Sequence, residues 1–240
     1  MTRAPTVLLL HGLGATGAVW TNVCAVLGQR VPFRLIAPDL AGHGSAAWRP
    51  HYSVGGLAAE LAEALHGKAD VLVLGHSLGA YIALALASGW FGVRVRAVVG
   101  LGPKILWTSA ELASAAELAA RPVRTYATRE EALARYRRVS GLDSHVAPAE
   151  ASLARGVVAC PEGWRLAQDP RTFEVAGASF ETLAASAQAR VVLARGSDDQ
   201  LVTLEQLKTH DAHAAEIPGA GHNAHVEKPE ALVDLLESVL

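Results

Sequence analysis

The chain has 240 residues, of which 51% are hydrophobic and 18% are charged, and its formal net charge is −2. This length fits one α/β domain with an insertion, and this composition supports a large core and argues against a disordered chain. The sequence has no lysine- or arginine-rich face that would neutralise phosphates, which argues against nucleic acid as a partner.

Two cysteines, Cys24 and Cys160, lie far apart and in no metal-binding spacing, which indicates reduced thiols. The apolar run before His11 is too short for a signal peptide, and no stretch approaches the roughly 20 apolar residues of a membrane helix. We therefore expect a soluble cytoplasmic protein without membrane contacts. The oligomeric state is left open by the sequence.

Six short apolar runs predict buried parallel strands, because the runs are continuous rather than alternating. Helical patterns lie between most of them, and this alternation predicts an open parallel sheet with helices on both faces. In such a sheet, ligands bind at the C-terminal ends of the strands. The predicted strands are Thr6–Leu10, Arg34–Ala37, Asp70–Leu74, Val95–Leu101, Arg190–Ala194 and Ala214–Ile217. The predicted helices are Thr21–Arg30, Ser53–Gly67, Leu78–Trp90 and 228–240.

The segment from Lys104 to Ala187 interrupts this alternation, because it contains helical patterns and no convincing strand. Thr108 and Thr128 each begin a capping-box pattern with glutamate three residues later, and Pro148 can start a third helix. So long a segment between two strands is not a simple connection. We predict a helical cap, residues 104–187, inserted into a core domain formed by residues 1–103 and 188–240.

The sequence Gly75-His76-Ser77-Leu78-Gly79 lies between a buried strand and a buried helix. This is the setting of a nucleophile elbow, a tight turn that strains its serine and requires small residues on either side. A serine hydroxyl also needs a general base and an acid that orients the base. With this elbow, an acid and then a histidine are expected at later strand ends. The candidates are Asp198 and Asp199 after the fifth strand, and His222 and His225 after the sixth.

A glycine-rich turn after the first strand supports another interpretation. Gly12, Gly14 and Gly17 fit G-x-G-x-x-G, and Asp39 follows where a dinucleotide fold places its ribose-binding carboxylate. This alternative leaves Ser77 and the downstream aspartates and histidines unexplained. We therefore expect Asp39 to anchor its loop, and we interpret His11, His43 and His76 as hydrogen-bonded supports.

Five stretches resemble the α/β-hydrolase family, in the branch of small esterases, C–C bond hydrolases and non-haem perhydrolases. In chain order they are LLLHGLGATGAVW, LIAPDLAGHGSA, VLGHSLGAYIALALA, VVLARGSDDQLVT and IPGAGHNAHVEKPEAL. Family members begin with two further strands before the histidine–glycine turn, so here the resemblance implies a six-stranded, wholly parallel sheet. It also implies a nucleophile at Ser77, an acid at Asp199 (with Asp198 as the alternative), a base at His222, and an oxyanion hole formed by the backbone N–H groups of Leu13 and Leu78.

The resemblance implies a serine hydrolase, foremost a carboxylesterase that forms an acyl-enzyme with small to medium esters. The same triad supports C–C bond hydrolase, lyase or perhydrolase chemistry, and a non-catalytic receptor for small ligands is a further alternative. No cofactor and no metal are expected, and we do not interpret His222 and His225 as a metal-binding pair. The arginines at 129, 135, 137 and 138 are expected to form a solvated helix face. The candidate substrate-binding residues are Trp20, Trp107, Tyr126 and Trp164.

Overall fold

The computed structural model describes residues 5–30, 32–67, 71–143 and 153–239. Its main sheet has six strands, and every neighbouring pair in it is parallel. They are β1 (Thr6–Leu10), β2 (Arg34–Ile36), β3 (Val71–His76), β4 (Val95–Leu101), β8 (Arg190–Gly196) and β9 (Ala215–Ile217). Their order across the sheet is β2-β1-β3-β4-β8-β9. This confirms the predicted six-stranded parallel sheet; Asp70, the predicted start of β3, lies outside the described residues.

Helices cover both faces of this sheet. Ser53 caps the second helix by accepting a hydrogen bond from the Gly56 N–H, as its sequence predicts. The described helices are α1 (Thr21–Arg30), α2 (Val54–Leu65), α3 (Leu78–Ala87), α4 (Ser109–Ala119), α5 (Arg129–Val139), α6 (Phe180–Ser186), α7 (Leu204–Lys208), α8 (Ala224–Glu227) and α9 (Pro229–Glu237), with 3₁₀ turns at Gly17–Trp20 and Pro170–Val175.

The third helix, α3, is shorter than predicted. It ends at Ala87 rather than at Trp90. Gly89 follows with a φ of 80°, a left-handed conformation that glycine adopts without a steric penalty. The sequence after Ala87 is Ser88-Gly89-Trp90, so the glycine itself marks the stop, and the predicted helix runs past it.

The core consists of two apolar layers, one on each side of the main sheet. Leu8 and Leu10 of β1 pack with α2 and α3 in one layer. Val7 and Leu9 pack in the other layer with residues of α1 and α9. Successive side chains of a strand point to opposite faces. A strand covered on both faces therefore needs a continuous apolar run, which is the pattern that predicted these strands.

The segment between β4 and β8 differs from its prediction as an all-helical cap. It contains a three-stranded antiparallel sheet in the order β5-β7-β6, formed by β5 (Thr125–Tyr126), β6 (Val157–Cys160) and β7 (Gly163–Leu166). These strands have two to four residues each, which is too short to show a clear alternation of apolar and polar residues in the sequence. The strands gain stability from antiparallel pairing and from α5 packed nearby. The domain boundaries at residues 104 and 187 stay a prediction.

The predicted helix starts in this segment have different outcomes. Thr108 and Glu111 form a complete capping box at α4. Thr128 accepts a hydrogen bond from the Glu131 N–H at α5, but the Glu131 carboxylate accepts from the Ala127 N–H instead of closing the box. Pro148 lies outside the described residues.

Candidate active site

The turn between β3 and α3 holds Ser77 in a strained conformation. Its φ is 51° and its ψ is −114°, and it is the one non-glycine residue with positive φ in the described part of the chain. Such a conformation costs on the order of 1–3 kcal/mol and persists where the surroundings enforce it. The surroundings here do so, because the Ser77 N–H donates to the Leu101 carbonyl of β4 at 2.8 Å.

The glycines beside this serine are sterically required. A Cβ on Gly75 would lie 2.2 Å from the Gly79 carbonyl oxygen. A Cβ on Gly79 would lie 2.1 Å from the Leu10 carbonyl oxygen. Strand, turn and helix thus touch backbone to backbone, which accounts for both glycines of the motif.

Ser77 also occupies the N-cap position of α3, but its side chain makes no capping hydrogen bond. The hydroxyl therefore remains available above the start of the helix. The helix N-terminus presents backbone N–H groups and the positive end of the helix dipole, both of which favour negative charge at this point.

A histidine and an aspartate from two other strand ends contact each other, and both line the same cavity as this serine. The His222 Nδ1 lies 2.9 Å from Oδ2 of Asp199. The Asp199 side chain is fully buried, and its Oδ1 accepts from the Leu201 N–H at 2.8 Å. A carboxylate can only accept, so Nδ1 carries the proton and Nε2 keeps a lone pair. This is the tautomer that a general base requires.

The structure distinguishes the two candidate aspartates. Asp198 is exposed, and its Oδ1 accepts from the hydroxyl of its neighbour Ser197 at 3.0 Å. Asp199 is the carboxylate that contacts His222. The geometry therefore favours the first choice made from the sequence over its alternative.

Gly102, just after β4, leaves the space in which this pair fits. Its φ is 58°, and a Cβ there would lie 3.0 Å from Oδ2 of Asp199 and 3.2 Å from Cε1 of His222. No catalytic motif in the sequence marks this glycine. The available signal was its position, directly after an apolar strand and before Pro103.

Ser77, His222 and Asp199 all line one cavity of about 490 Å³. Leu13 and Leu78, the predicted sources of oxyanion-hole amides, line it as well. Within the described residues, neither of these two N–H groups has a protein acceptor. The neighbouring amides of Leu13 are occupied, because Gly14 donates to His43 Nε2 and Ala15 donates to the Gly12 carbonyl.

The glycine-rich turn is supported by buried, neutral histidines. His11 Nδ1 lies 2.8 Å from the Gly12 carbonyl, and its Nε2 accepts from the Leu40 N–H at 3.0 Å. Burial lowers the pKa of His11 to about 4 and that of His43 to about 3. Both rings therefore act as hydrogen-bonded supports, as predicted, and hold the backbone beside Ser77.

Asp39 anchors its loop and is occupied by protein groups. It accepts from the Gly17 N–H and from the N–H and hydroxyl of Ser45, each at 2.8 Å, and it pairs with Arg155 at 2.7 Å. Burial would raise the pKa of Asp39, but these hydrogen bonds outweigh it and leave the pKa below its usual value. With both oxygens engaged, this carboxylate is a loop anchor and not a ribose ligand.

Of the four candidate substrate-binding aromatics, Trp107 is the one that lines the cavity. Trp20 is fully buried in the core against His225, with ring centroids 4.6 Å apart. Tyr126 and Trp164 pair across β5 and β7, away from the cavity lining. Trp20, Tyr126 and Trp164 therefore do not line the cavity, contrary to expectation. Tyr126 and Trp164 belong to the small sheet, which the sequence pattern did not reveal.

Other lining residues were missed by the sequence reasoning. Tyr81, one turn into α3, and Val175, at the end of a 3₁₀ turn, form part of the apolar wall. Tyr81 could have been found from its spacing of four residues from Ser77, which places it on the same helix face. Arg138 also lines the cavity, although its side chain is 68% exposed and lies 3.7 Å from Asp143. The arginine face on α5 is thus mostly solvated, with one member at the cavity.

The comparisons with known proteins agree with this architecture. The family model described as "Alpha/beta hydrolase family" matches residues 7–235. The esterase Rv0045c of Mycobacterium tuberculosis is 30% identical over 260 residues, covering 99% of this chain and 83% of that protein. The thioesterase domain from the curacin biosynthetic pathway superposes with a TM-score of 0.79 at 22% identity, covering 98% of this chain and 91% of that one, and supports the fold alone.

The chain belongs to the α/β-hydrolase family, and an esterase is among its sequence relatives. Another match, "Uncharacterized protein Mb2734" of Mycobacterium bovis, is 42% identical over 86 residues. That stretch is 35% of this chain and only 25% of the relative. The described helices include none long and apolar enough to cross a membrane. No group of three metal-binding side chains is present among the described residues.

Proposed function

We propose that this protein is a serine carboxylesterase that acts on small to medium esters. Ser77 is the nucleophile, His222 the general base, and Asp199 the carboxylate that orients His222. The observation that supports this most directly is the 2.9 Å contact between His222 Nδ1 and Asp199 in the cavity that Ser77 lines. It leaves His222 Nε2 as the proton acceptor.

The reaction proceeds through an acyl-enzyme. Ser77 Oγ bonds to the ester carbonyl carbon while His222 Nε2 takes the hydroxyl proton. Asp199 stabilises the resulting imidazolium. The tetrahedral intermediate then loses its alcohol, which departs with the proton from His222. Water repeats the sequence, giving one proton to His222 as it attacks, and the carboxylic acid leaves as Ser77 regains its proton.

The oxyanion is stabilised by the N–H groups of Leu13 and Leu78. Their lack of protein acceptors among the described residues supports this role. An oxyanion-hole donor contributes roughly 3 kcal/mol to transition-state stabilisation, by analogy with measured cases. The position of Leu78 at the start of α3 adds the helix dipole to its own hydrogen bond.

The cavity supports the proposed substrate class. Its volume of about 490 Å³ lies in the range of ordinary small-molecule sites. Tyr81, Trp107 and Val175 supply an apolar wall for an acyl or aryl group. The mechanism needs water and an ester, with no organic cofactor and no metal. We place the reaction in the cytoplasm, without nucleic-acid or membrane partners.

The test is a panel of p-nitrophenyl esters of increasing acyl length, assayed with wild type and Ser77→Ala. We expect wild type to turn over short esters and Ser77→Ala to lose about 10⁶-fold in kcat. Retention of activity within tenfold of wild type in the variant would overturn the scheme.

A fluorophosphonate probe separates the alternatives. Stoichiometric labelling at Ser77 together with ester turnover supports the esterase. Labelling with negligible ester turnover indicates C–C bond hydrolase, lyase or perhydrolase chemistry on the same triad. An unlabelled Ser77 indicates a receptor without catalysis.

A further inference from the structure

The proposed base and nucleophile come from strands that are not neighbours. Ser77 follows β3, whereas His222 follows β9, and β4 and β8 lie between those two strands. Three inter-strand steps separate β3 from β9 by about 14 Å. The loop that carries His222 must therefore reach back over two strand ends, and its position has to be fixed by contacts outside the sheet.

One side chain joins this loop directly to the nucleophile strand. His76, the last residue of β3 and the neighbour of Ser77, places its Nε2 2.9 Å from the His222 backbone carbonyl. A carbonyl only accepts hydrogen bonds, so Nε2 of His76 carries the proton and donates it. The bond spans 146 positions of the chain.

The surroundings keep His76 in this state. Burial, with the neighbouring rings of His225 and His222 adding to it, lowers the pKa of His76 well below its ordinary value. The centroid of the His76 ring lies 4.3 Å from that of His225 and 4.6 Å from that of His222. A neutral ring has one N–H, and here that N–H points to the His222 carbonyl.

Other hydrogen bonds tie this loop to elements other than β3, among them the bond from the Asp198 N–H, just after β8, to the Ala220 carbonyl at 2.9 Å. The Gly221 N–H donates to Glu227 at 2.8 Å, which ties the loop to its own following helix. Asn223 donates to the Ser140 and Gly141 carbonyls at 3.2 and 2.9 Å, which ties it to the inserted segment. These contacts, like the one between His222 and Asp199, do not connect the loop to β3, the strand that ends beside Ser77.

We propose that His76 is a positioning residue, whose hydrogen bond to the His222 backbone holds that imidazole in register with the Ser77 hydroxyl. This inference rests on the proposed function, because it assigns His76 a task in the same reaction. A displacement of about 1 Å between reacting groups can cost on the order of a hundredfold in rate.

Substitutions at position 76 test the bond by rescue. A glutamine amide reaches the position of Nε2 and can donate to the His222 carbonyl, whereas an asparagine amide is shorter and reaches only the position of Nδ1. We expect His76→Asn and His76→Leu to lower kcat ten- to a hundredfold with KM within about threefold. We expect His76→Gln to recover to within about fivefold of wild type.

The chain offers a matched control in His225, whose ring is also buried and whose two nitrogens have no hydrogen-bond partner among the described residues. His225→Phe removes an imidazole from the same cluster without removing a hydrogen bond. We expect this variant to stay within about threefold of wild type in kcat. The rate constant for phosphonylation of Ser77 by a fluorophosphonate provides a second readout that needs no ester substrate.

The outcomes separate this proposal from the esterase assignment. If wild type is neither labelled nor active, the proposed function fails. If wild type is labelled and active, three results would each rule out a positioning role for His76. The first is a kcat of His76→Leu equal to that of wild type, and the second is an equal loss of kcat in His76→Gln and His76→Asn. The third is a loss of kcat in His225→Phe as large as that in His76→Leu. A His76→Gln protein that does not fold also counts against it, since the amide preserves the bond. In wild type, ¹⁵N spectra should show His76 protonated at Nε2, and protonation at Nδ1 would overturn the proposal without any variant.

Discussion

Two helices of similar length, α3 in the core and α4 in the inserted segment, are stabilised in different ways. All ten residues of α3 are buried, whereas Ala115 is the buried residue of α4. Apolar burial therefore holds α3, while a capping box and the 2.7 Å contact between Lys104 and Glu111 hold the start of α4. Surface ion pairs and helix caps contribute far less to stability than the burial of a whole helix.

This difference matches what each region contributes to the cavity. The core supplies Ser77, His222 and Asp199, whose arrangement must be accurate to a fraction of an ångström. The inserted segment supplies wall residues such as Trp107 and Val175. Under the proposed function, the firmly packed core carries the chemistry and the more weakly held segment contacts the substrate, so the segment can change without disturbing the core.

The largest effect is expected from the core carboxylate. Asp199→Asn replaces the acceptor of the His222 Nδ1 proton with a neutral amide, which no longer fixes the required tautomer. By analogy with the serine-protease triad, we expect kcat to fall about 10⁴-fold. Asp198→Asn, one residue earlier and exposed, is the matched control and should change kcat less than tenfold. A larger loss from Asp198→Asn than from Asp199→Asn would contradict the assignment.

The next largest effect is expected on the unfolding free energy, when a leucine is truncated in each of the two helices. Leu84→Ala in α3 removes a side chain with no exposure and should cost 2–5 kcal/mol of unfolding free energy, by the usual range for buried leucines. Leu112→Ala in α4, where the residue is 38% exposed, should cost less than about 1 kcal/mol. Urea unfolding of both variants gives the two values. Equal losses would mean that α4 is as firmly packed as α3.

The same contrast explains what could be predicted from the sequence. The strands of the main sheet were found because burial on both faces demands continuous apolar runs, as in β1. The small antiparallel sheet was missed because β5 has only two residues, and its partner strands are half-exposed without clear alternation. Hydrophobic patterns in the sequence therefore predict deeply buried elements well, whereas weakly buried elements produce no clear pattern.

The candidate site shows a similar division. Ser77, Asp199 and His222 were identified because their motifs place them at strand ends, and the structure brings Asp199 and His222 together there. Gly102 was missed because its role depends on groups distant in sequence. Trp20 was misplaced because closeness in sequence to the glycine-rich turn does not determine which way a ring points.

The smallest expected effect concerns pH and the buried histidines of the core. Burial lowers the pKa of His225 to about 3, against an ordinary value of 6.5 in an unfolded chain. Below pH 6.5 the unfolded state binds a proton that the folded state does not. Stability is therefore complete above pH 6.5 and decreases as the pH falls toward 3, by about 1.4 kcal/mol per pH unit for this residue.

His225→Phe removes this one titrating group. We expect its unfolding free energy, measured in urea at pH 7, 6 and 5, to decline less steeply than that of wild type by about 1.4 kcal/mol per pH unit below pH 6. Leu84→Ala, which removes no titratable group, is the control: it should lower the unfolding free energy and leave its pH slope unchanged. Parallel slopes for wild type and His225→Phe would show that His225 takes up a proton in the folded core. That result would require a proton acceptor beside a ring whose two nitrogens have no described partner.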